Sequence, residues 1–247
     1  MNFSRHYIDG RWADSHSEAM IAVVNPATMQ PFAQIPAGDP EDAEAAAEAA
    51  RRAFPAWTKT TLEERISLMM KWAEVLTKRA ETIGELEVQE LGTPWEYSYK
   101  KHGLYQIGRI KAYCECAREM GFQGKLTGAY VRMEPVGVVS CITPWNYPLG
   151  QIIQKVIPAL LMGNTVVLKP SSQAPLSAFV LAEAADEAGI PAGVFNLISG
   201  SARSYGDSLI THPAFAMVSF TGSTAVGREI AAKAGAALKK VSLELGG

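Results

Sequence analysis

The sequence predicts an α/β fold: a Rossmann-like, five-stranded parallel sheet with helices on both faces, preceded by N-terminal helices and a projecting β-hairpin arm. Three observations carry this. Short apolar runs rich in β-branched residues recur at 136–142, 165–168, 194–198, 217–220 and 241–245, each the length of a buried strand. Helical patterns fill the gaps at 149–161, 176–188, 202–210 and 225–236. Strands alternating with helices make βαβ units and a parallel sheet, and right-handed crossovers place the helices on both faces. Each run also ends in polar or glycine-rich residues, as the ligand-binding carboxyl edge of such a sheet does. The organisation expected is therefore N-terminal strands and helices over 1–121, the arm over 122–135 and the Rossmann-like core over 136–247.

The elements ahead of the core follow from local chemistry. Residues 5–37 read as short strands: Tyr7-Ile8-Asp9-Gly10-Arg11-Trp12 around a turn, then Ala22-Val23-Val24, then 32–35. Asp39-Pro40-Glu41-Asp42 starts a helix. Asp39 caps it, Pro40 suits the first helical position, and the acids favour its positive end. This alanine-rich helix runs to about Phe54. Thr60-Thr61-Leu62-Glu63-Glu64 offers a capping box for a second helix reaching about Glu90. In it Leu62, Ile66, Met69, Met70, Ala73 and Leu76 recur at helical spacing, so the methionines fill the core. Gly92-Thr93-Pro94 breaks the pattern and a third helix covers about 95–120. Residues 122–134 alternate weakly and carry Gly124 and Gly128, as a hairpin arm would.

Composition excludes several classes of function. The 247 residues carry a net charge of −2 with acids and bases interspersed, which gives no electrostatic case for nucleic acid or an anionic membrane. No apolar run is long enough to span a bilayer, and the opening MNFSRHYIDG is too polar for a signal peptide. Cys114, Cys116 and Cys141 fit a reducing compartment, so a cytoplasmic location is expected. Cys114 and Cys116 point to different faces of one helix, Cys141 reads as a small buried residue, and four scattered histidines add no ligand spacing. No metal site is expected.

Chemistry concentrates where the strands end. The first run stops in Thr143-Pro144-Trp145-Asn146-Tyr147-Pro148, where two prolines fix the backbone on either side of one amide side chain. The same residues also fit a proline-capped loop over a buried tryptophan. The second ends Leu168-Lys169-Pro170-Ser171-Ser172; Lys169 can reach a ribose hydroxyl or phosphate, or be a surface lysine. The fourth gives Phe220-Thr221-Gly222-Ser223-Thr224-Ala225-Val226-Gly227. There Gly222 allows a tight turn, and Ser223 with the first free helix amides either holds a phosphate or merely caps the helix. No G-x-G-x-x-G fingerprint is present. The fifth ends Leu243-Glu244-Leu245-Gly246-Gly247. Between leucines, Glu244 is either a desolvated carboxylate suited to general-base work or an edge-strand glutamate facing water. Tyr97 and Lys101 share the Y-x-x-x-K spacing of short-chain dehydrogenases, but no glycine-rich turn follows the first strand, so the match is chance.

Taken in order, these motifs resemble the NAD(P)-dependent aldehyde dehydrogenase superfamily. Gly193-Val194-Phe195-Asn196, Ile8-Asp9-Gly10-Arg11-Trp12 and Val24-Asn25-Pro26-Ala27-Thr28 add to the likeness, which covers the whole chain. The resemblance implies oxidation of an aldehyde to an acid through a thioester, with hydride transfer to NAD or NADP. It implies that Asn146 donates to the developing oxyanion and that Glu244 is the general base. Thr143, Pro144, Trp145, Lys169, Ser172, Phe220, Thr221, Gly222, Ser223, Val226, Gly227, Leu245 and Gly246 would line the cofactor, with Lys169 on the adenosine ribose. The arm would belong to the strands of a homo-oligomer. Ser172 stands where NAD-preferring relatives often carry an acid; without that charge to repel a 2′-phosphate, NADP is as open as NAD. The family's nucleophilic cysteine lies beyond the Glu-Leu-Gly-Gly motif, and none of the three cysteines matches it. The chain is thus expected to be the cofactor-binding portion, inactive alone; the alternative is a non-catalytic nucleotide-binding or dimerisation module.

Overall fold

A computed structural model describes residues 3–120 and 123–246. Phe122 and Gly247, assigned above to the arm and to the last motif, lie outside them. Strands β1 (His6–Ile8), β2 (Arg11–Ala13), β3 (Met20–Asn25) and β4 (Gln30–Pro36) open the chain. Helix α1 (Pro40–Trp57) starts on the expected Asp39 cap, which the structure completes into a capping box: the Asp39 carboxylate accepts from the Asp42 amide and the Asp42 carboxylate accepts from the Asp39 amide. Helix α2 (Leu62–Lys78) starts on another, between Thr61 and Glu64.

The single long helix expected up to Glu90 is two. Helix α3 (Ala80–Leu91) follows a break at Arg79. No glycine or proline marks that break. Arg79 instead reaches across to Glu183 and Glu187, at 2.7 and 2.6 Å. The third helix is also interrupted, though its backbone never leaves the helical region: α4 (Trp95–Tyr97), a π-helical segment (Ser98–Leu104), then α5 (Tyr105–Glu119). Cys114 is buried and Cys116 exposed, as opposite faces require.

The arm is a separate two-stranded hairpin, β5 (Gln123–Leu126) and β6 (Ala129–Arg132), with Gly128 in the left-handed region at its turn. The core then alternates as expected: β7 (Val138–Ile142), α6 (Pro148–Leu161), β8 (Thr165–Lys169), α7 (Leu176–Ala188), β9 (Phe195–Leu197), α8 (Ala202–Thr211), β10 (Phe215–Gly222), α9 (Thr224–Ala236) and β11 (Lys240–Leu245).

The main sheet has strand order β11-β10-β7-β8-β9-β1-β2. Its first five strands are the expected parallel set. Beyond them β1 joins β9 antiparallel and β2 closes the edge, so the sheet is seven strands wide rather than five. The sequence gives little sign of this, because three-residue strands carry almost no pattern. Side-chain alternation sorts the core into two layers. Val139, Cys141, Val166 and Leu168 face a cluster built with α2, α5, α6 and α7, while Val138, Ile142, Val167 and Phe220 face α1, α8 and α9. Trp57 and Trp72 sit within the first layer, each donating its indole N–H to a carbonyl, Leu160 and Leu181. One buried polar pin ties the N-terminal strands to the rest. His6 accepts from the Ser199 amide on Nδ1, so its Nε2 carries the proton and faces Asp42 at 3.3 Å. Burial alone would raise the Asp42 pKa, but bonds from His6, Ser15 and the His16 amide outweigh it and hold the carboxyl well below its usual range.

Candidate active site at the carboxyl edge of the sheet

Parallel register brings the motifs to one edge. Lys169 on β8 pairs with Ile142 on β7, Ile142 with Phe220 on β10, and Phe220 with Leu243 on β11. One step further lie Thr143, Thr221 and Glu244, the last two directly paired. Residues up to 101 positions apart thus form one line, because parallel pairing holds the strands in register.

Lys169 is among its most buried members. It is 5% exposed, its Nζ donates to the Pro170 carbonyl at 2.8 Å, and no carboxylate pairs with it among the described residues. Burial pushes its pKa down to about 8. Thr143 is buried, its amide bonded to the Lys169 carbonyl at 3.2 Å. The hydroxyls of Thr143 and of Thr221 are buried without a hydrogen-bond partner among the described residues. An unpaired buried hydroxyl costs about 1–3 kcal/mol, so two of them at the edge that also holds a buried ammonium are groups set up for a polar ligand. Beyond Thr143 the loop turns outward: Pro144 is half-buried, and Trp145 and Asn146 are exposed. The tryptophan is therefore not a buried anchor.

The β10–α9 turn is tighter than its motif suggests. Ser223 is the N-cap of α9, its hydroxyl accepting from the Val226 amide at 3.4 Å. Gly222 ends β10 without a positive φ, so the expected turn conformation is not its reason for being glycine. A Cβ there would lie 2.4 Å from the Phe220 ring. Gly227 gives room in the same way for the Leu245 side chain, letting α9 lie close on β11. Val226 is exposed on the first turn, and Thr224 donates to the Gly246 carbonyl at 2.7 Å, tying the helix start to the end of β11.

Glu244 departs from the desolvated reading. It is exposed, as are Leu245 and Gly246, and Leu243 is only half-buried. The reason is position: β11 is the outermost strand, with β10 on one side only. Ser172 is half-buried beside Trp145 and Gln173 in a cavity of about 490 Å3, whose far wall is Ile21, Val24 and the buried carboxylate of Glu90. None of the cysteines stands at this edge. Cys141 lies within β7, its thiol pushed up to about 12 by burial, Cys114 is likewise raised to about 11, and Cys116 is on the outer face of α5.

Sequence reasoning missed Lys155. It is 8% exposed on α6, donates to the Ser219 hydroxyl at 3.2 Å, and has its pKa lowered by burial, with the Cys141 and Glu244 charges acting in the other direction. The signal was present: one charged residue between Ile152-Ile153 and Val156-Ile157 in a helix whose other polar side chains are Gln151 and Gln154.

The chain that carries these groups matches known proteins along its whole length. Residues 12–247 match the model of the aldehyde dehydrogenase family. The chain belongs to that family. Among curated aldehyde dehydrogenases, it is 38% identical over its full length to 3-succinoylsemialdehyde-pyridine dehydrogenase of a Pseudomonas species, covering 52% of that protein. It is also 38% identical to the NADP(+) succinate-semialdehyde dehydrogenase GabD of Escherichia coli strain K12, over 97% of the chain and 51% of the relative. The crystal structure of a Bartonella henselae aldehyde dehydrogenase superposes over the whole chain with a TM-score of 0.97 at 39% identity, using 53% of that structure. A mutant of AldC from Pseudomonas syringae, solved with NAD+ and octanal, gives 0.93 at 38% identity, over the whole chain and 51% of AldC. The chain thus spans about half the length of the aldehyde dehydrogenases it matches.

Proposed function

We propose that this chain forms the dinucleotide-binding portion of an NAD(P)-dependent aldehyde dehydrogenase, in which an aldehyde is oxidised to a carboxylic acid. The observation that carries the reading is Lys169: a buried ammonium without a counter-carboxylate among the described residues, at a sheet edge that also carries two unsatisfied hydroxyls. An anionic, hydroxyl-rich ligand resolves both deficits. The NAD+ complex of AldC and the NADP(+) named for GabD support the same reading.

When bound, the dinucleotide supplies the hydride acceptor. The residues of this chain do the rest of the holding. Lys169 donates to a ribose hydroxyl or phosphate, and the free amides at the start of α9 face an anion with the favourable end of the helix dipole. Phe220, Gly222 and Gly227 line that ligand on the β10–α9 side, while Thr143, Pro144, Trp145, Val226, Leu245 and Gly246 form its other walls. Asn146, exposed past the end of β7, presents its amide to the oxygen that gains negative charge as the aldehyde carbon becomes tetrahedral. Glu244 takes the proton of the attacking water, a role that calls for cover over β11. Since no cysteine stands at the edge, the 247 residues alone form no acyl intermediate, and the aldehyde is turned over only with a further segment. On the same reading the hairpin, which presents Tyr130, Val131 and Met133 to solvent, joins a second copy in a homo-oligomer.

Calorimetric titration with NAD+ and with NADP+ tests this. Binding of either, weakened by Lys169→Ala, is the expected result. Absence of binding by the folded chain, or binding indifferent to Lys169→Ala, overturns the site. Aldehyde-dependent NAD(P)H formation by the pure chain would sink the claim of incompleteness.

A further inference from the structure

The loop that carries Asn146 has little support of its own. Trp145 and Asn146 are exposed, and Tyr147, at the N-cap position of α6, makes no side-chain cap. What holds the loop comes from below. The Tyr147 ring lies over Gly150, where a Cβ would come within 2.5 Å of its Cδ1. It packs on the ring of His102, with centroids 4.1 Å apart, and its hydroxyl accepts from Gln106 Nε2 at 3.3 Å.

His102 is 2% exposed and sits in the π-helical segment. Its Nδ1 is 2.5 Å from Glu87 Oε2. Glu87 is fully buried on α3, and its carboxylate also feels the backbone amide of Leu149, in the first turn of α6, although Oε1 completes no ordinary hydrogen bond. One carboxylate therefore acts on both sides of Asn146: on the ring beneath Tyr147 and on the helix start that follows.

Each part is costly for stability alone. A buried carboxylate with an unsatisfied oxygen is expensive. A π segment within a helix is rare and gathers at functional sites. Here that segment carries the imidazole set between Glu87 and Tyr147.

We propose that Glu87 and His102 are positioning residues for Asn146, fixing the Tyr147 ring and the first turn of α6 so that the amide side chain keeps one orientation. The proposal rests on the reading of Asn146 as the oxyanion donor; its geometry does not need the cofactor.

The test is nuclear magnetic resonance on the 15N-labelled chain, with the Asn146 side-chain amide assigned by its loss in Asn146→Ser. Expected are displacement or broadening of that amide and of the Trp145 indole signal in His102→Leu and in Glu87→Met. Glu87→Gln, which keeps an oxygen for His102, returns both signals close to their original positions. Ile110→Val, a mild loss in the same buried layer, leaves them unmoved. Unchanged Asn146 and Trp145 signals in folded His102→Leu overturn the proposal, as does equal displacement by Ile110→Val. If Glu87→Met does not fold, His102→Leu and Glu87→Gln decide. Titration of the same samples with NAD+ is read separately: failure to bind counts against the cofactor site, not against the positioning role.

Discussion

Strands β8 and β11 carry a charged residue near the same end of one sheet, each next to leucine, in opposite surroundings. All five residues of β8 are buried, and Lys169 loses most of its contact with water. On β11 no residue is fully buried, and Glu244 stays in solvent although it pairs directly with Thr221. The sequence context is nearly alike; the number of neighbouring strands is not. Burial gives Lys169 an electrostatic character that its own neighbours in sequence do not encode, and Glu244 gains none until something covers the edge.

The largest expected effect tests that difference on one substitution. Leu168→Ala removes a fully buried side chain from the centre of the sheet and costs about 2–5 kcal/mol. Leu245→Ala, at a residue 38% exposed, costs less than about 1 kcal/mol. Urea denaturation of the two variants measures both. Equal losses would mean that β11 is as well packed as β8, and the contrast fails.

The second comparison moves from packing to binding. Lys169→Ala weakens nucleotide binding at least about ten-fold, equivalent to about 1.4 kcal/mol. Glu244→Gln leaves it within two-fold, since an exposed carboxylate on the outer strand adds little to the ground-state complex. Calorimetry of both variants with NAD+ and NADP+ gives the ratio; a Glu244→Gln loss matching that of Lys169→Ala would place the ligand over β11 instead.

A third follows from protonation. Burial lowers Lys169 to about 8 from the ordinary 10.5. Below about pH 8 it is charged in both folded and unfolded chains, and the cost of burying the charge is borne in full. Between about 8 and 10.5 the unfolded chain holds a proton that the folded one has released, so this residue's contribution to stability rises with pH. Nucleotide affinity runs the other way, falling as the ammonium is lost. Lys169→Met, which replaces the buried charge with an apolar chain of similar length, is therefore stabilising at pH 7 and less so at pH 10. Denaturation curves at the two pH values check the sign. A stabilisation that grows toward pH 10 rules out the buried charge.

These contrasts also mark what the sequence can be read for. The row from Lys169 to Leu243 was legible because each member lies at or near the end of a strand with its own apolar run and turn signal. The cap at Asp39 and the capping box at Thr61 were legible because they are local. The break at Arg79 was not, since its cause is a pair of glutamates a hundred residues away on α7. Glu87 and His102 were hidden for a related reason: a polar residue in a helix ordinarily faces solvent, and only the fold shows that α3 and the π segment bury these two against each other. The tight turn at Gly222 was legible, but not the reason for its glycine, because a missing Cβ serves close packing as readily as backbone freedom. Glu244 was placed correctly in its strand, but the surroundings assumed for it depend on which strand is last.

The smallest effect belongs to Ser172, which stands three residues past Lys169 and is half-buried in the cavity beside Trp145. Two unit charges 4 Å apart near a protein surface interact by about 4 kcal/mol, but solvent exposure and salt reduce such pairs to about 1 kcal/mol or less. Ser172→Asp therefore weakens NADP+ by about five-fold through repulsion of the 2′-phosphate, a figure set by that reduced energy. NAD+, which has hydroxyls at that ribose, is unaffected or bound slightly more tightly. The ratio of the two dissociation constants before and after substitution isolates the effect from any general change in the loop. A parallel loss of both nucleotides would mean that the substitution disturbs Lys169, whose burial is then the more fragile member of the pair. An unchanged ratio would put the 2′ position away from Ser172 and move the choice between the two nucleotides to another wall of the site.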